Sequence, residues 1–474
     1  MLFNSFTFLA FLPITFCLYW FVFSKSLRWQ NIFLLIASYV FYGWWSKKFL
    51  LLLMLNTLLD FIFGYWVANM SGKKAKLFLW LSILTNVGTL CLFKYYNFFT
   101  TQAAELISKM GGHSNFTLLH IILPVGISFY TFHGMSYVFD VYQKKQEPVK
   151  NIADYAVFVS FFPLLVAGPI ERAHHLLPQI LKNRKFSYSQ ATEGCRLFLW
   201  GMFKKVIIAD TLAKDVNAIF NDYTHHDPLT LIFGAIAFSF QIYGDFSGYT
   251  DMALGTAKLF GFELLTNFKF PYFSRDIAEF WRRWHISLSS WFRDYLYIPL
   301  GGSKQGKLKA VRNTFIIFFI SGFWHGSNWT FIAWGGIHAC CFLPLLILNK
   351  NRKYVSTIVA QDSMLPSLKE AVQMISTFLV VTFAWVFFRS PTITSALDYI
   401  GLLFHNNNKF AEWRLTYWID VLFILSFILI DWWQRRDGRV LRVSKYGKYL
   451  VYIIMGVLVF LGIGRSTSFI YFQF

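Results

Sequence analysis

Charged residues are scarce in this 474-residue sequence and make up only 14% of it. Soluble domains average about 25%. Apolar and aromatic residues fill the deficit, at 56% and 21% of the chain, and several apolar runs reach the roughly 20 residues that cross a hydrocarbon core. The sequence therefore excludes an ordinary soluble domain. It predicts an all-α polytopic membrane protein with roughly eleven transmembrane helices.

Acidic residues are fewer than basic ones. The chain holds 24 Asp and Glu against 44 Lys and Arg, for a net charge of +20. No long basic tract or nucleic-acid motif accompanies this excess, which argues against a nucleic-acid-binding protein. The basic residues lie in short loops between apolar runs, as the positive-inside rule and anionic lipid headgroups would produce.

Cysteine is sparse as well, and the signatures of several reaction classes are missing. The five cysteines contain no CxxC pair, so neither a disulfide framework nor a zinc site is expected. No H-E-x-x-H motif or dense ligand cluster occurs, and we expect no metal. No G-x-S-x-G elbow occurs, and no cysteine adjoins the histidines discussed below, which disfavours a covalent serine or cysteine intermediate.

The apolar runs follow one another without a linker or a fixed-period repeat, which predicts a single membrane domain over 1–474 with a catalytic core at about 118–348. The first run, 6–23, lacks a basic n-region and is expected to be a retained helix. Pro124 predicts a kink in the helix at 118–141. Lys204 and Lys205 interrupt the run 197–209, and they should end it at the interface or extend their amines to the membrane surface.

A charged segment near the middle of the chain holds one histidine among tryptophans. It reads Phe280-Trp281-Arg282-Arg283-Trp284-His285-Ile286-Ser287-Leu288-Ser289. If it is a helix that begins near Ser274 or Asp276, its aromatic side chains and His285 share one face and its arginines lie elsewhere. We predict an interfacial helix whose arginines meet phosphates or headgroups. The alternative is a surface helix in which His285 is only buried and hydrogen bonded.

A second histidine, His325, lies in an apolar run of membrane length. Residues 314–347 contain no Lys, Arg, Asp or Glu, so an ionisable side chain here usually faces a cavity or a partner. Gly322 and Gly326 bracket it at G-x-x-x-G spacing, which allows either close helix packing or room for a ligand. We expect His325 to act as general base on a hydroxyl. A hydrogen bond across helices is the alternative for His325, and it is the favoured interpretation of His338.

Polar residues also follow the apolar run 229–243, in Gly244-Asp245-Phe246-Ser247-Gly248-Tyr249-Thr250-Asp251. Asp245 could orient a histidine, bind a substrate hydroxyl or hold a proton in a relay. Alternatively, Asp245 and Ser247 cap the end of a helix. The residues alone leave these possibilities open.

Together these motifs resemble the membrane-bound O-acyltransferase (MBOAT) family, and within it the branch that O-acetylates alginate and other bacterial polysaccharides. The resemblance covers nearly the whole chain. Its segments, besides the charged segment, are Gln241-Ile242-Tyr243-Gly244-Asp245-Phe246-Ser247-Gly248-Tyr249, Asn267-Phe268, Pro271-Tyr272, Asp294-Tyr295-Leu296-Tyr297-Ile298, Leu300-Gly301-Gly302, Gly322-Phe323-Trp324-His325-Gly326, Trp329-Thr330-Phe331-Ile332-Ala333-Trp334-Gly335 and the ending Tyr471-Phe472-Gln473-Phe474.

The resemblance implies that His325 is the family's catalytic histidine and His285 its second characteristic histidine. It implies the MBOAT fold, a ring of tilted helices with re-entrant or interfacial helices around a central tunnel, where an acyl donor from one side meets an acceptor from the other. The side chains expected to line this tunnel or bind substrate are Asp245, Ser247, Trp281, Arg282, Trp284, Trp324 and Asn328.

The expected reaction moves an acetyl group from a cytoplasmic thioester to hydroxyls of an extracytoplasmic polysaccharide. No cofactor would be bound, and acetyl-CoA or a phosphopantetheine-carried acyl group would be the donor substrate. Residues 269–312 hold nine Lys or Arg against three acids, which suits a cytoplasmic face and an anionic donor. The resemblance further implies a multi-pass protein of the bacterial cytoplasmic (inner) membrane and a separate SGNH-type acetyltransferase partner, to which the acetyl group could be passed.

Two other functions compete with this expectation. A relative of different specificity would move D-alanine from a carrier protein toward teichoic acid by the same general-base chemistry. A proton-coupled transporter would use Asp245, His285 and His325 as a relay. The transporter would need inverted repeats, and the sequence contains no recognisable repeat.

Overall fold

The computed structural model describes residues 1–113, 116, 118–119, 122–166, 168–404, 413–436, 445–463 and 469–470. Within these ranges every regular element is a helix, which confirms the prediction of an all-α protein. The predicted terminal motif Tyr471-Phe472-Gln473-Phe474 lies outside the described residues.

The α-helices differ widely in length, and the longest has 32 residues. In chain order they are α1 (Phe6–Cys17), α2 (Leu27–Gly43), α3 (Lys47–Asn69), α4 (Gly72–Leu90), α5 (Tyr96–Lys109), α6 (Ile127–Tyr142), α7 (Ile152–Ser160), α8 (Ala173–Ile180), α9 (Tyr188–Met202), α10 (Asp210–Asn221), α11 (Pro228–Leu259), α12 (Ile277–Arg283), α13 (Ile286–Phe292), α14 (Lys307–His325), α15 (Trp329–Ile347), α16 (Leu368–Arg389), α17 (Ile393–Leu402), α18 (Leu415–Gln434) and α19 (Lys445–Gly462). Wider π-helical turns follow four of them, at Leu18–Val22, Cys91–Tyr95, Phe203–Ala209 and Arg293–Tyr297, and 3₁₀ turns occur at Tyr223–His225 and Pro271–Phe273.

Six helical stretches of the described chain are long and apolar enough to cross a membrane. They are α3, the continuous stretch Gly72–Lys109, α11, α15, α16 and α18, and two shorter apolar helices occur at Phe6–Val22 and Tyr449–Gly462. Large apolar side chains stay exposed along several of them, as at Leu84 and Leu422. Lipid rather than water suits such surfaces, so the chain is a multi-pass membrane protein.

The chain folds as two compact units. The first comprises Met1–Phe198 and Met252–Leu265, and the second comprises Leu199–Asp251 and Thr266–Phe474. Two of the three unit boundaries fall inside α9 and α11, and the third follows Leu265. The prediction of a single membrane domain with a core at about 118–348 stays a prediction.

A buried carboxylate lies in the core of the first unit, where α3, α4 and α6 pack together. Asp60 on α3 accepts hydrogen bonds from Ser82 Oγ (2.7 Å) and Asn86 Nδ2 (2.8 Å) on α4. A Cβ added at Gly134 of α6 would collide with the Asp60 carboxylate. Helices without a mutual hydrophobic driving force associate through such polar contacts and small residues, so this cluster specifies how the three helices meet.

The predicted kinked helix over 118–141 is wrong in its first part. Helix α6 begins only at Ile127, directly after Gly126, whose φ of 73° is left-handed. A Cβ at Gly126 would collide with the carbonyl oxygen of Leu165. The close approach of the Leu165 backbone and the upstream Pro124 therefore explain why the helix begins at Ile127 and is not a longer helix with a bend.

The second unit holds Lys204 and Lys205 in a way that the sequence analysis did not predict. Neither amine reaches the membrane surface, because both residues are buried, at 4% and 0% exposure. Lys204 forms an ion pair with Asp251, and Lys205 forms ion pairs with Asp210 and Asp245. A buried ammonium needs paired carboxylates, and the run continues as a π-helical turn around these pairs.

Candidate active site

His285 and His325 lie side by side in the second unit. Their ring centroids are 6.4 Å apart, and the Trp324 ring contacts both, at 5.9 Å from His285 and 4.9 Å from His325. Both histidines are buried, at 0% and 3% exposure. The two residues that the sequence analysis singled out are thus neighbours, although 285 and 325 are far apart in the chain.

His325 is positioned by a tight helical hairpin. It is the last residue of α14, and α15 begins at Trp329 after three connecting residues. Cβ atoms added at Gly322 and Gly335 would collide with the carbonyl oxygens of Phe331 and Phe318, respectively. The glycines therefore let the two helices approach closely, and the predicted alternative of close helix packing holds for Gly322.

His285 lies at a break between two short helices. The predicted continuous helix through this residue is wrong, because α12 ends at Arg283 and α13 begins at Ile286. His285 itself has a left-handed φ of 44°. The backbone N–H of Ile286 donates to Asn267 O (2.9 Å), and that of Lys269 donates to Arg283 O (2.9 Å). These hydrogen bonds join the break to the segment that contains Asn267 and Lys269. Tertiary contacts therefore stabilise the break, although local helix propensity favours a continuous helix.

A wall of aromatic rings surrounds the pair and includes the third histidine. Trp334 contacts His325 at 5.1 Å and His338 at 4.9 Å, and Trp281 contacts His338 at 5.0 Å. Phe388 adds a further edge contact to His325 at 5.4 Å. All of these rings are tilted or edge-to-face, the arrangement that aromatic quadrupoles favour.

Several polar atoms in this wall have no hydrogen-bond partner among the described residues. They are Nε2 of His285, both ring nitrogens of His338, and Nε1 of Trp281 and Trp334. A buried polar atom without a partner costs about 1–3 kcal/mol, and such atoms are rare in native proteins. Their clustering makes this part of the second unit suited to a polar ligand.

Two further predicted site residues, Trp284 and Asn328, make structural contacts near these aromatic rings. Trp284 is fully buried and contacts Phe280 and Trp385 at 5.6 and 5.1 Å. Asn328 accepts a hydrogen bond from the Thr330 N–H (3.1 Å) at the start of α15 and donates to Pro391 O (2.7 Å). Asn328 therefore stabilises the turn of the hairpin that carries His325.

Arg282 binds the protein rather than pointing into solvent. Its guanidinium donates to the carbonyl oxygens of Asn351 (2.8 Å) and Tyr354 (3.4 Å). Its neighbour Arg283 and the nearby Arg275 both form ion pairs with Glu279. Internal acceptors thus occupy three arginines that the sequence analysis counted toward an anionic ligand.

Asp245 and Ser247 lie inside α11, which continues to Leu259. The alternative that they cap a helix end is therefore wrong. The Asp245 carboxylate forms an ion pair with Lys205 (2.8 Å) and accepts from the Ile470 N–H (2.7 Å), while Ser247 accepts from Lys204 Nζ (3.0 Å).

Between these two residues, Phe246 contacts His285 at 4.7 Å. Asp245 and Ser247 thus bind the buried lysines, and they neighbour His285 through Phe246. Within the described residues, no group of three or more His, Cys, Asp or Glu side chains could hold a metal ion.

Three contributors to the site were not predicted from the sequence. Asn267 was noted only as part of a motif, and its side chain bonds directly to His285 Nδ1 at 3.0 Å. Trp334 was likewise not singled out, although it joins His325 to His338. The pairing of Lys205 with Asp245 had one available signal: a lysine inside an apolar run needs a carboxylate elsewhere in the membrane sequence.

Comparison with known proteins decides the family. The family model described as "MBOAT, membrane-bound O-acyltransferase family" matches residues 32–358. The chain belongs to the membrane-bound O-acyltransferase family. This confirms the resemblance and the predicted enzyme class. The matched region includes both histidines.

Curated MBOAT relatives extend the match to most of the chain. The Pseudomonas aeruginosa protein named "Probable alginate O-acetylase AlgI" is 39% identical over 425 residues, which cover 88% of this chain and 76% of the relative. The "Peptidoglycan O-acetyltransferase" of Helicobacter pylori is 36% identical over 431 residues, covering 84% and 78%. The "Teichoic acid D-alanyltransferase" of Bacillus subtilis is 30% identical over 252 residues, covering 50% and 62%.

Proposed function

We propose that this MBOAT chain transfers an acetyl group from a thioester donor to hydroxyls of an extracytoplasmic polysaccharide, with His325 as the general base. The coarser function, membrane O-acyltransfer to a polysaccharide, follows the family and the relatives named for alginate and peptidoglycan acetylation. The observation that carries the finer proposal is the buried pair His285–His325, 6.4 Å apart in an aromatic wall with unsatisfied polar atoms.

The reaction needs one proton acceptor and no enzyme nucleophile. The lone pair of neutral His325 takes the proton of the acceptor hydroxyl while its oxygen attacks the thioester carbonyl. The tetrahedral intermediate collapses, the C–S bond breaks, and the imidazolium returns the proton to the departing thiolate. An ester and a free thiol result, and His325 is again neutral. The aromatic wall would exclude water, which otherwise competes with the sugar hydroxyl.

An anionic donor such as acetyl-CoA, or an acyl group on phosphopantetheine, fits the charge of residues 269–312. Arg275, Arg282 and Arg283 bind internal acceptors. The exposed lysines Lys304, Lys307 and Lys309 are therefore the better candidates to meet the donor's phosphates. We place the protein in the bacterial cytoplasmic membrane, with this basic segment on the cytoplasmic side.

On the opposite side, we infer that the acetyl group reaches the polysaccharide directly or through an SGNH-type acetyltransferase partner. D-alanyl transfer from a carrier protein toward teichoic acid is the second candidate, because this chain is 30% identical to a teichoic acid D-alanyltransferase over the region they share. That match covers only 50% of this chain, whereas the acetyltransferase relatives cover more than four fifths. Family membership leaves no support for the transporter alternative.

Labelled donors separate these possibilities. Proteoliposomes containing the full chain would receive labelled acetyl-CoA, acetylated carrier protein or D-alanylated carrier protein, with alginate or peptidoglycan fragments on the other side. Label from an acetyl donor on a glycan in the wild type, and none with His325→Ala at equal reconstitution, supports the proposal. The proposal is contradicted if only the D-alanyl donor is consumed. It is also contradicted if no thioester is consumed, whichever acceptor is supplied and whether or not an SGNH partner is added.

A further inference from the structure

One buried oxygen fixes the orientation of the Asn267 side chain. Asn267 is fully buried, and its Oδ1 lies 3.2 Å from the backbone nitrogen of Ser287 and 2.9 Å from Ser287 Oγ. A backbone N–H can only donate, so the atom that it meets must be the amide oxygen and not the amide nitrogen. The hydrogen bond from the Ser287 N–H therefore distinguishes the oxygen of this side-chain amide from its nitrogen.

The same oxygen sets the tautomer of His285. Oδ1 of Asn267 is 3.0 Å from Nδ1 of His285, and because the oxygen accepts, Nδ1 must carry the hydrogen. A neutral imidazole has one N–H and one lone pair. The lone pair of His285 consequently lies on Nε2, a buried atom that has no hydrogen-bond partner among the described residues.

Asn267 also holds the backbone that aims this ring. Its own carbonyl accepts from the Ile286 N–H at 2.9 Å, directly after His285 in its left-handed conformation. Non-glycine residues adopt that conformation infrequently, because it brings Cβ close to the following carbonyl oxygen. Both the main chain and the side chain of Asn267 thus hold His285, whose ring lies 6.4 Å from that of His325.

We propose that Asn267 is a positioning residue that holds neutral His285 with its hydrogen on Nδ1, so that Nε2 accepts a hydrogen bond from a hydroxyl or amide hydrogen of the bound substrate. This role rests on the proposed acyl transfer, because it gives His285 the task of orienting a substrate while His325 takes the proton. The source of the hydrogen, sugar hydroxyl or pantetheine amide, is identified by which substrate's KM changes when the bond is lost.

Two substitutions of Asn267 give opposite pH behaviour if this is correct. Asn267→Leu removes the acceptor, so one substrate's KM should rise about tenfold or more at every pH. Asn267→Asp keeps an acceptor oxygen but adds a negative charge that favours the imidazolium, in which Nε2 is a donor. The acid limb of its pH profile should therefore move to higher pH by about one unit or more, with activity recovering above it.

Asn313→Asp is the matched control. Asn313 is equally buried, donates to Leu300 O and Gly302 O, and accepts from the Arg312 guanidinium. The same chemical change there should leave the acid limb where it is in the wild type. An Asn267→Asp enzyme that remains folded and keeps the wild-type acid limb overturns the proposal. So does an Asn267→Leu enzyme whose KM values and kcat stay within twofold of wild type.

Nitrogen-15 NMR of histidine-labelled full chain reads the tautomer without turnover, with His285→Gln used to assign the signal. We expect an unprotonated Nε2 and a protonated Nδ1, and the reverse pattern overturns the proposal even if Asn267→Leu fails to fold. A wild-type protein that shows the expected tautomer but transfers no acyl group would contradict the proposed function and the substrate contact, while leaving the positioning by Asn267 intact.

Discussion

The imidazole rings of His285 and His325 lie 6.4 Å apart, with the Trp324 ring in contact with both. His325 is the last residue of α14, and His285 lies at a break between two short helices. Because each is oriented by a different element, the pair depends on how the α14–α15 hairpin packs against α12 and α13 in the second unit.

If the two histidines act on one bound substrate pair, their contributions are not independent. We predict that His285→Ala and His325→Ala each lower kcat/KM strongly, and that the double variant loses little more than the worse single variant. Acyl-transfer rates of the four proteins give the coupling. Additive losses would show instead that the histidines act separately.

The buried ion pairs of Lys205 with Asp210 and Asp245, at 2.7 and 2.8 Å, predict a large stability effect. Lys205→Met should destabilise the protein by about 3–5 kcal/mol, because two buried carboxylates lose their cation. Thermal unfolding in detergent measures this effect, with the exposed Lys214 changed to Met as the control. Adding Asp210→Asn and Asp245→Asn should restore most of the stability. A loss below about 1 kcal/mol would contradict the need for a paired charge.

Trp334 joins two histidines and stacks on Trp385 at 5.6 Å. Trp334→Ala should cost about 3–5 kcal/mol through the cavity that it leaves, and acyl transfer should fall further than stability explains, since the His325 ring loses a supporting face. Trp418, which is 56% exposed, provides the matched control, and its change to Ala should shift stability by about 0.5 kcal/mol or less. Equal effects at the two positions would argue against a central role for Trp334.

Much of the fold could be predicted from composition and apolar runs, because a membrane span needs little more than length and hydrophobicity. The break at His285 could not, since it depends on the Asn267 backbone and side chain, which are distant in sequence. Likewise, the ion pairs of Lys204 and Lys205 join residues on different helices. His325 was identifiable because it is an ionisable side chain in an otherwise uncharged run, whereas Trp334 resembles any other buried tryptophan.

A pH-dependent contact lies in the first unit, outside the six spans. His175 Nδ1 is 2.7 Å from the buried Glu171 carboxylate, and this hydrogen bond raises the pKa of His175 above its usual 6.5. The protonated contact therefore contributes stability that is fully present below pH 6.5 and is lost as pH rises through the raised pKa.

A double-mutant cycle with His175→Gln and Glu171→Gln, followed by thermal unfolding at several pH values, measures this coupling. We expect about 1 kcal/mol or less at low pH, because His175 is partly exposed, and a decline toward alkaline pH. A coupling that grows with pH would contradict the assignment.

The proposed reaction depends on His325 taking the proton of the acceptor hydroxyl. The most direct measurement is the single-turnover rate of acetyl transfer by reconstituted His325→Ala protein, compared with wild type at equal folded concentration and saturating donor and acceptor. Loss of a general base predicts a fall of about 10²–10⁴-fold, with donor binding retained. Transfer within about tenfold of wild type would contradict the assignment of His325 as the base.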